Sequence, residues 1–378
     1  MADTTTTALG LTKPQIGASE NTWGEKINTN MDLIDAVLDD YPSAGALSNR
    51  NVIINGAMQV AQRGTSFAGL TDTAGGYTLD RWEFVEQGAP TGVFTVTQDT
   101  DTPAGFGSSL KVDCTTADAT LDSLDAFGLV QKVEAQNLQQ LGYGSADARE
   151  LAYSFWVKSN KTGTYVVWLF QPDDGRSNQV QYTIDVAGTW EKKTGVISAD
   201  TTGIIDNDNG SGLFFRFVLA SGAGYTSGTA PTAWETNTAA NRFAGQTVNL
   251  ADNTANYFNI TGVQVELGTV ATPFEHRSYG QDLAACQRYY YKMTYSEGGG
   301  IGNKYRGATL TNVFSSAICF PTEMRVTPTF TQITAPTIYG STEGTHSIAA
   351  RGINLRVNCV GGGSYRMYSG LFSVDAEL

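Results

Sequence analysis

From residue 52 to residue 267 apolar side chains recur mostly at every second position, the period of strands with one face in a core. Tyr153, Phe155 and Val157 alternate with Ser154, Trp156 and Lys158, and Leu213, Phe215 and Phe217 alternate with Phe214, Arg216 and Val218. In the second run both sets are largely apolar, which predicts a strand held between two packed layers. The periodicity predicts strands at 52–60, 78–86, 92–98, 108–113, 127–134, 151–158, 163–171, 178–186, 189–198, 211–219 and 257–267. Clusters of Gly and Asp (KTGT, PDDGRS, NDNGSG) separate them and supply the turns. A long series of strands with few helix signals predicts a large antiparallel β-sandwich, jelly-roll-like, over residues 50–275.

Two stretches change period. Trp23, Ile27, Met31, Ile34 and Leu38 form one apolar stripe of a short helix that ends before Pro42, and Thr22 with Glu25 has capping-box spacing. The Thr-rich start ahead of it carries no pattern, so residues 1–45 are expected to need a partner or the rest of the chain for order. In residues 258–292, Val263, Val265 and Leu267 alternate with Gln264 and Glu266, then Gly268 and Pro273 end the strand. Ser278 and Gln281 have capping-box spacing, and Leu283, Cys286 and Tyr290 follow at helical intervals. Tyr289, Tyr290 and Tyr291 cannot share one helix face, so at least one reaches another element or subunit. This connecting helix opens a small C-terminal β domain, 276–378, with a glycine hinge at GGGIG and strands near 309–320, 328–334, 347–358 and 366–377. Phe372, Val374, Ala376 and Leu378 alternate with Ser373, Asp375 and Glu377, which predicts a terminal strand with one buried face. The fold class is mainly β: an N-terminal helix, a large sandwich and a small C-terminal β domain.

Composition narrows the chemistry. The chain of 378 residues suits two or three domains of about 100–200 residues. Charged residues are 16% against about 25% in ordinary soluble chains, and there are 42 glycines, a profile of turn-rich β proteins. A net charge of -13 repels phosphates and anionic lipid surfaces, which argues against nucleic-acid binding. No stretch approaches the roughly 20 apolar residues of a membrane span, so no membrane insertion is expected, and the Thr-rich start lacks signal-peptide order, which predicts synthesis in a cytoplasm. Cys114, Cys286, Cys319 and Cys359 show no metal or redox spacing and are read as buried free thiols. Asp206, Asp208 and Gly210 match a calcium loop only in part and are read as an Asx-rich turn; no metal and no cofactor are predicted.

The enzyme reading is weak, because His276 and His346 are the only histidines and neither lies in a catalytic motif. A carboxylate pair that cleaves a glycan is the alternative, since two acids suffice for that reaction. For glycan binding, aromatic faces stack on sugar rings. Trp82, Trp156, Trp168 and Trp190 lie in predicted strands and are read as core. The long loop 221–256 holds Tyr225, Trp234 and Arg242; Trp234 stands beside Thr232, Glu235 and Asn237 and reads either as a sugar platform or as a plug for the sandwich end.

Four phrases resemble bacteriophage tail fibres: LGLTKPQIGASENTWGEKINTNMDLID; NVIINGAMQVAQRG followed by GYTLDRWEF; GVQVELG, ATPF and CQRYY; and FPTEMRVTP with the terminal VDAEL. They bracket nearly the whole chain. The resemblance implies a virion structural protein of a tailed phage, a homotrimer made in the host cytoplasm, fixed to phage tail proteins by its N-terminus and meeting a host surface glycan through its distal β domains. The anchor phrase W-G-x-K-x-N-x-N-x-D-x-I-D is carried by Trp23, Gly24, Lys26, Asn28, Asn30, Asp32, Ile34 and Asp35. Tyr225, Trp234 and Arg242 are the first glycan-binding candidates and Tyr305 and Tyr365, in the last domain, the second. The chain departs from many such fibres in lacking a long repetitive shaft and an intramolecular chaperone. The competing function is a glycan-cleaving depolymerase or a secreted carbohydrate-binding module.

Overall fold

The computed structural model describes residues 4–6, 11–13, 22–40, 49–71, 76–295, 313–334, 337–339, 341–343, 346–359, 366–368 and 370–378. Strands β1 (Thr4–Thr5) and β2 (Thr12–Lys13) form a small antiparallel pair. Helix α1 (Trp23–Asp40) follows, and the Asn30 amide pairs with both backbone groups of Thr12, at 2.8 and 3.0 Å.

The sandwich is built from β3 (Ser66–Leu70), β4 (Gly76–Tyr77), β5 (Glu83–Gln87), β6 (Val93–Asp99), β7 (Ser109–Thr116), β8 (Ala126–Glu134) and β9 (Leu151–Ser159). It continues with β10 (Gly163–Gln171), β11 (Arg176–Ile184), β12 (Glu191–Ile197), β13 (Ser211–Ser221), β14 (Glu235–Thr236) and β15 (Tyr257–Leu267). Sheet I has seven strands in the order β14-β11-β10-β13-β8-β5-β4, and sheet II has six in the order β12-β9-β15-β7-β6-β3. The chain passes between sheets from β3 to β4, β5 to β6, β7 to β8, β8 to β9, β9 to β10, β11 to β12, β12 to β13 and β14 to β15, and neighbouring strands run antiparallel, as in a jelly roll.

Alternation places Phe84, Phe94, Phe127, Phe155, Phe215 and Phe217 between the sheets. Phe155 meets Phe217 edge-on at 5.1 Å and Phe94 meets Phe127 at 4.8 Å, and each buried ring contributes about 1.5–3 kcal/mol. The opposite side of sheet I is also covered. Val166, Trp168, Val218 and Ala126 pack beneath Tyr225 and Phe243, which belong to the long segment after β13 that includes the short helix α2 (Ala223–Thr226). Both faces of β13 are therefore packed, as its two apolar sets require.

Residues 52–60 are not a strand. Asn55 and Met58 have φ of +57°, and the Asn55 amide takes the Val60 N–H and donates to Val60 O and Asp80 O. The Asn51 amide likewise donates to Val263 O and accepts from Ile53 and Val265. Side-chain amides do here what a neighbouring strand does elsewhere, while Ile53, Met58 and Val60 still reach the core. The predicted strand at 78–86 begins only at Glu83, because Arg81 sits at φ +71° in a turn.

Helix α3 (Tyr279–Gln287) has the full capping box of Ser278 and Gln281. It stops before Tyr290, which starts β16 (Tyr290–Tyr295) rather than extending the helix. The C-terminal domain adds β17 (Val313–Cys319), β18 (Thr329–Thr334), β19 (Thr337–Tyr339), β20 (Ser341–Glu343), β21 (Ser347–Ala349), β22 (Gly352–Cys359), β23 (Arg366–Tyr368) and β24 (Gly370–Asp375). β24 lies between β16 and β18, and its Phe372 and Val374, with the following Ala376, are buried in a small core with Met293, Met324 and Ile353. The GGGIG hinge lies outside the described residues. Cys114 and Cys286 are buried free thiols, whereas Cys319 is exposed at the end of β17, contrary to the expectation for that residue.

Candidate functional site

Strand register determines what sheet II displays on its outer side. Asn259 lies opposite Lys158 and Thr261 opposite Trp156 across β15 and β9, while Tyr257 faces Asp113 and Asn259 faces Lys111 across β15 and β7. β6 continues the rows with Thr95, Thr97 and Asp99. The residues between these, among them Val157, Phe258, Ile260, Val112 and Val96, are in the core, so the polar and aromatic set shares the outer face. Trp190 joins it from the turn before β12, donating its indole N–H to Asp101 Oδ1 at 2.9 Å. Trp156, Trp190 and Tyr257 are half-buried, and their exposed portions lie among hydrogen-bonding groups.

Two ion pairs stand on this face. Lys158 Nζ lies 2.5 Å from Asp101 Oδ2, and Lys111 Nζ lies 2.9 Å from Asp113 Oδ1 and 5.5 Å from the Tyr257 ring centroid. The hydrogen bond from Lys158, reinforced by that from Trp190, holds the Asp101 carboxyl below its ordinary range, so it accepts hydrogen bonds and is not a proton donor. Asn259 is only 1% exposed; its Nδ2 reaches Ser109 Oγ at 3.3 Å, and its Oδ1 is buried with no partner among the described residues.

At one end the face turns into an aromatic cluster. Gly262 has φ +62° at the register shift of β15, and a Cβ there would lie 2.6 Å from Phe106 Cζ and 3.1 Å from Trp156 Cδ1. Glycine is thus required both for the bulge and for bringing the Phe106 loop against Trp156.

The residues singled out from sequence fall elsewhere. Tyr225 is buried on sheet I, 5.3 Å from the Phe243 ring, and the Arg242 guanidinium lies 5.5 Å from Tyr225 and 5.7 Å from Trp168. Trp234 is 7% exposed, donates to Ser198 O at 2.7 Å and packs edge-on against Tyr143. The loop 221–256 is a cover, and Trp234 is its plug; the expectation that Tyr225 and Trp234 offer open faces to a sugar is corrected by their burial. Tyr305 and Tyr365 lie outside the described residues. Trp156 and Trp190, read as core, are the tryptophans of the sandwich that stand on an open face. A sequence signal existed: Trp156 shares its strand parity with Ser154 and Lys158, not with an apolar set.

In the N-terminal segment Gly24, Lys26, Asn28, Asn30, Asp32, Ile34 and Asp35 all lie on α1. Trp23, Ile27 and Met31 are exposed by 57%, 41% and 62%, whereas Asn30 is engaged with Thr12. The side chain of Asp35 is outside the described set. In the Asp206–Gly210 turn, Gly210 N–H donates to Asp208 Oδ1 at 2.7 Å, the bond of an Asx turn. Burial holds the Asp80 and Asp173 carboxyls above their ordinary range; Asp80 is sealed beneath the C-terminal domain and bonded to Gln62. Among the described residues no group of three or more His, Cys, Asp or Glu side chains is placed to hold a metal ion, and no helix is long and apolar enough to cross a membrane.

No family model matches this chain, and no curated protein matches it. Solved structures of similar outline include a CBM4 module (12% identity, TM-score 0.28, covering 56% of this chain and 97% of that one). The CBM22-1–GH10 modules of an endo-1,4-beta-D-xylanase from Clostridium thermocellum, complexed with xylohexaose, match at 13% identity and TM-score 0.29, over 58% of this chain and 29% of that one. The N-terminal cellulose-binding domain of a beta-1,4-glucanase from Cellulomonas fimi matches at 13% identity and TM-score 0.27, over 50% of this chain and 90% of that one. At such identities and TM-scores the likeness carries no argument about ligands.

Proposed function

We propose that this chain is a tail-fibre protein of a tailed bacteriophage, a homotrimer in the virion that attaches to the tail through residues 1–45 and binds a host surface glycan on the outer face of sheet II. The phage assignment rests on the sequence phrases given above. The glycan assignment rests on one observation: Trp156, Trp190 and Tyr257 share an outer face with Thr95, Thr97 and the ion pairs Lys158–Asp101 and Lys111–Asp113. Such a face offers stacking surface beside hydrogen-bonding groups, the requirements of a polyhydroxylated ligand.

Trp156→Ala and Trp190→Ala should each lower adsorption to host cells and binding to purified host polysaccharide by about tenfold, the scale of one lost stacking contact. Unchanged adsorption by both variants would remove the assignment of this face. Incubation of the protein with the polysaccharide should leave its chain length intact; shortened oligosaccharides would make the protein a depolymerase.

A further inference from the structure

Beyond Phe106 the outer face of sheet II ends in a cavity of about 190 Å³ lined by Ala57, Gln59, Phe106, Phe274, His276 and Arg277, with Gly105 and Gly107 at its rim. Three of its walls are rings in mutual contact: Phe106 meets Phe274 at 5.1 Å and His276 at 5.3 Å, and Phe274 meets His276 at 4.9 Å. The other walls are polar. Arg277 Nη2 donates to Asn51 O at 2.8 Å and to Glu275 Oε2 at 3.0 Å, while its Nε is buried with no hydrogen-bond partner among the described residues. Gln59 is fixed by donation to Asp282 Oδ2 at 2.6 Å. A Cβ at Gly107 would have nothing within 4 Å, so the rim there is open.

We infer that this cavity takes a single neutral hexopyranose, the end residue of a glycan whose following residues lie along Trp156 and Trp190. The inference rests on the glycan reading of sheet II and adds to it a subsite, a size and a charge class. An apolar cavity of about 150 Å³ encloses one benzene ring, so this one has room for one pyranose ring whose exocyclic groups reach out through the open rim at Gly107. Aromatic walls suit the C–H faces of a pyranose, and the Gln59 and Arg277 side chains among them supply polar edges to its hydroxyls. The neutral class follows from the charge already present: Arg277 is paired with Glu275, and Arg50 lies 3.6 Å from Glu266. A carboxylated sugar would find no unpaired cation here and would enter against the overall charge of -13. Phe106 joins the two parts, because it contacts both the cavity rings and, across Gly262, the neighbourhood of Trp156.

The test uses the full chain and ligand-observed NMR with a panel of methyl hexopyranosides and the matching methyl hexuronides. At least one neutral glycoside should bind, and Gly107→Trp, which fills an open rim without displacing packed atoms, should weaken it at least tenfold. Phe274→Ala should act in the same direction, and Trp190→Ala should weaken the polysaccharide. Binding of the neutral glycoside that Gly107→Trp leaves intact would overturn the inference, as would a preference for the uronides or the absence of any bound glycoside. If the glycoside behaves as expected but Trp156→Ala and Trp190→Ala leave polysaccharide binding unchanged, the cavity stands and the extended face falls.

Discussion

Trp234 closes one end of the sandwich through its hydrogen bond to Ser198 O and its edge contact with Tyr143, and Arg176 donates to its backbone oxygen at 2.9 Å. Truncating a buried tryptophan leaves a void and an unpaired carbonyl, so Trp234→Ala should lower stability by about 3–5 kcal/mol. For a domain of this size that is a fall of roughly 6–20 °C in Tm, readable by calorimetry, whereas a shift within a degree would return Trp234 to the surface. Sequence alone left this residue between two roles, because a lone tryptophan in a Gly- and Thr-rich loop has no periodicity to show which way it faces. For Trp156 the parity was legible but its meaning was not. Alternation separates two faces and does not say which is covered, and sheet I, with both faces packed, shows that either outcome occurs in this fold.

At the level of elements, β10 and β15 occupy the spans that periodicity gives them, because their apolar runs are long and end at Gly or polar turns. The same logic misplaced 52–60, where apolar residues are buried without a ladder and Asn51 and Asn55 carry the backbone pairing. It also ran α3 on to Tyr290, since a helix and a following strand can both bury an aromatic at that spacing. The bulge in β15 was silent for a related reason: one glycine in a strand looks like a weak position until its φ and neighbours are known. Gly262→Ala should cost about 1–3 kcal/mol in urea denaturation, from strain at φ +62° and from displacement of Phe106. Polysaccharide affinity should fall at the same time, because Phe106 can no longer sit against Trp156. Unchanged affinity alongside the lost stability would show that the juxtaposition is structural only.

Across the whole molecule the C-terminal domain is held to the sandwich by charged groups withdrawn from water. Arg81, 1% exposed, pairs with Glu377 and lies 3.6 Å above the Tyr289 ring; Arg63 pairs with Asp375 at 2.9 Å and lies 3.7 Å above the Tyr290 ring. From the other side, Arg288 grips the buried Glu134 with two donors, at 2.5 and 2.9 Å, and Tyr289 O–H donates to it at 2.8 Å. These groups come from distant parts of the chain, so their pairing was invisible in the sequence, although the tyrosine triplet did signal contacts beyond the helix. Removing one member of a buried pair costs about 3–5 kcal/mol. The unaltered protein should therefore unfold in one calorimetric transition, and Arg81→Ala should split it into two and expose the junction to protease; one unsplit transition at the wild-type temperature would mean that the domains do not depend on this contact.

The remaining apolar surface of consequence is on α1. Trp23, Ile27 and Met31 lie along one stripe and are exposed by 57%, 41% and 62%, and an isolated helix of this length is marginal in water. A stripe stepping by three and four residues is what parallel helices bury when they associate, and the proposed homotrimer gives it an occupant: the same stripe on two further copies. Association also serves recognition, because a single shallow sugar site of millimolar affinity is worth only about 4 kcal/mol, and linked copies raise the effective concentration of each remaining site. The double variant Ile27→Asp, Met31→Asp places charges on the stripe and leaves the sandwich untouched. By multi-angle light scattering the unaltered protein should be a trimer at micromolar concentration and the variant a monomer with the same β-type circular dichroism. Adsorption by the variant should fall more steeply than its affinity for a monovalent glycoside, since only the multivalent term is lost. An unaltered protein that remains a monomer, or a variant that remains a trimer, would remove α1 from assembly and leave its stripe to a tail protein.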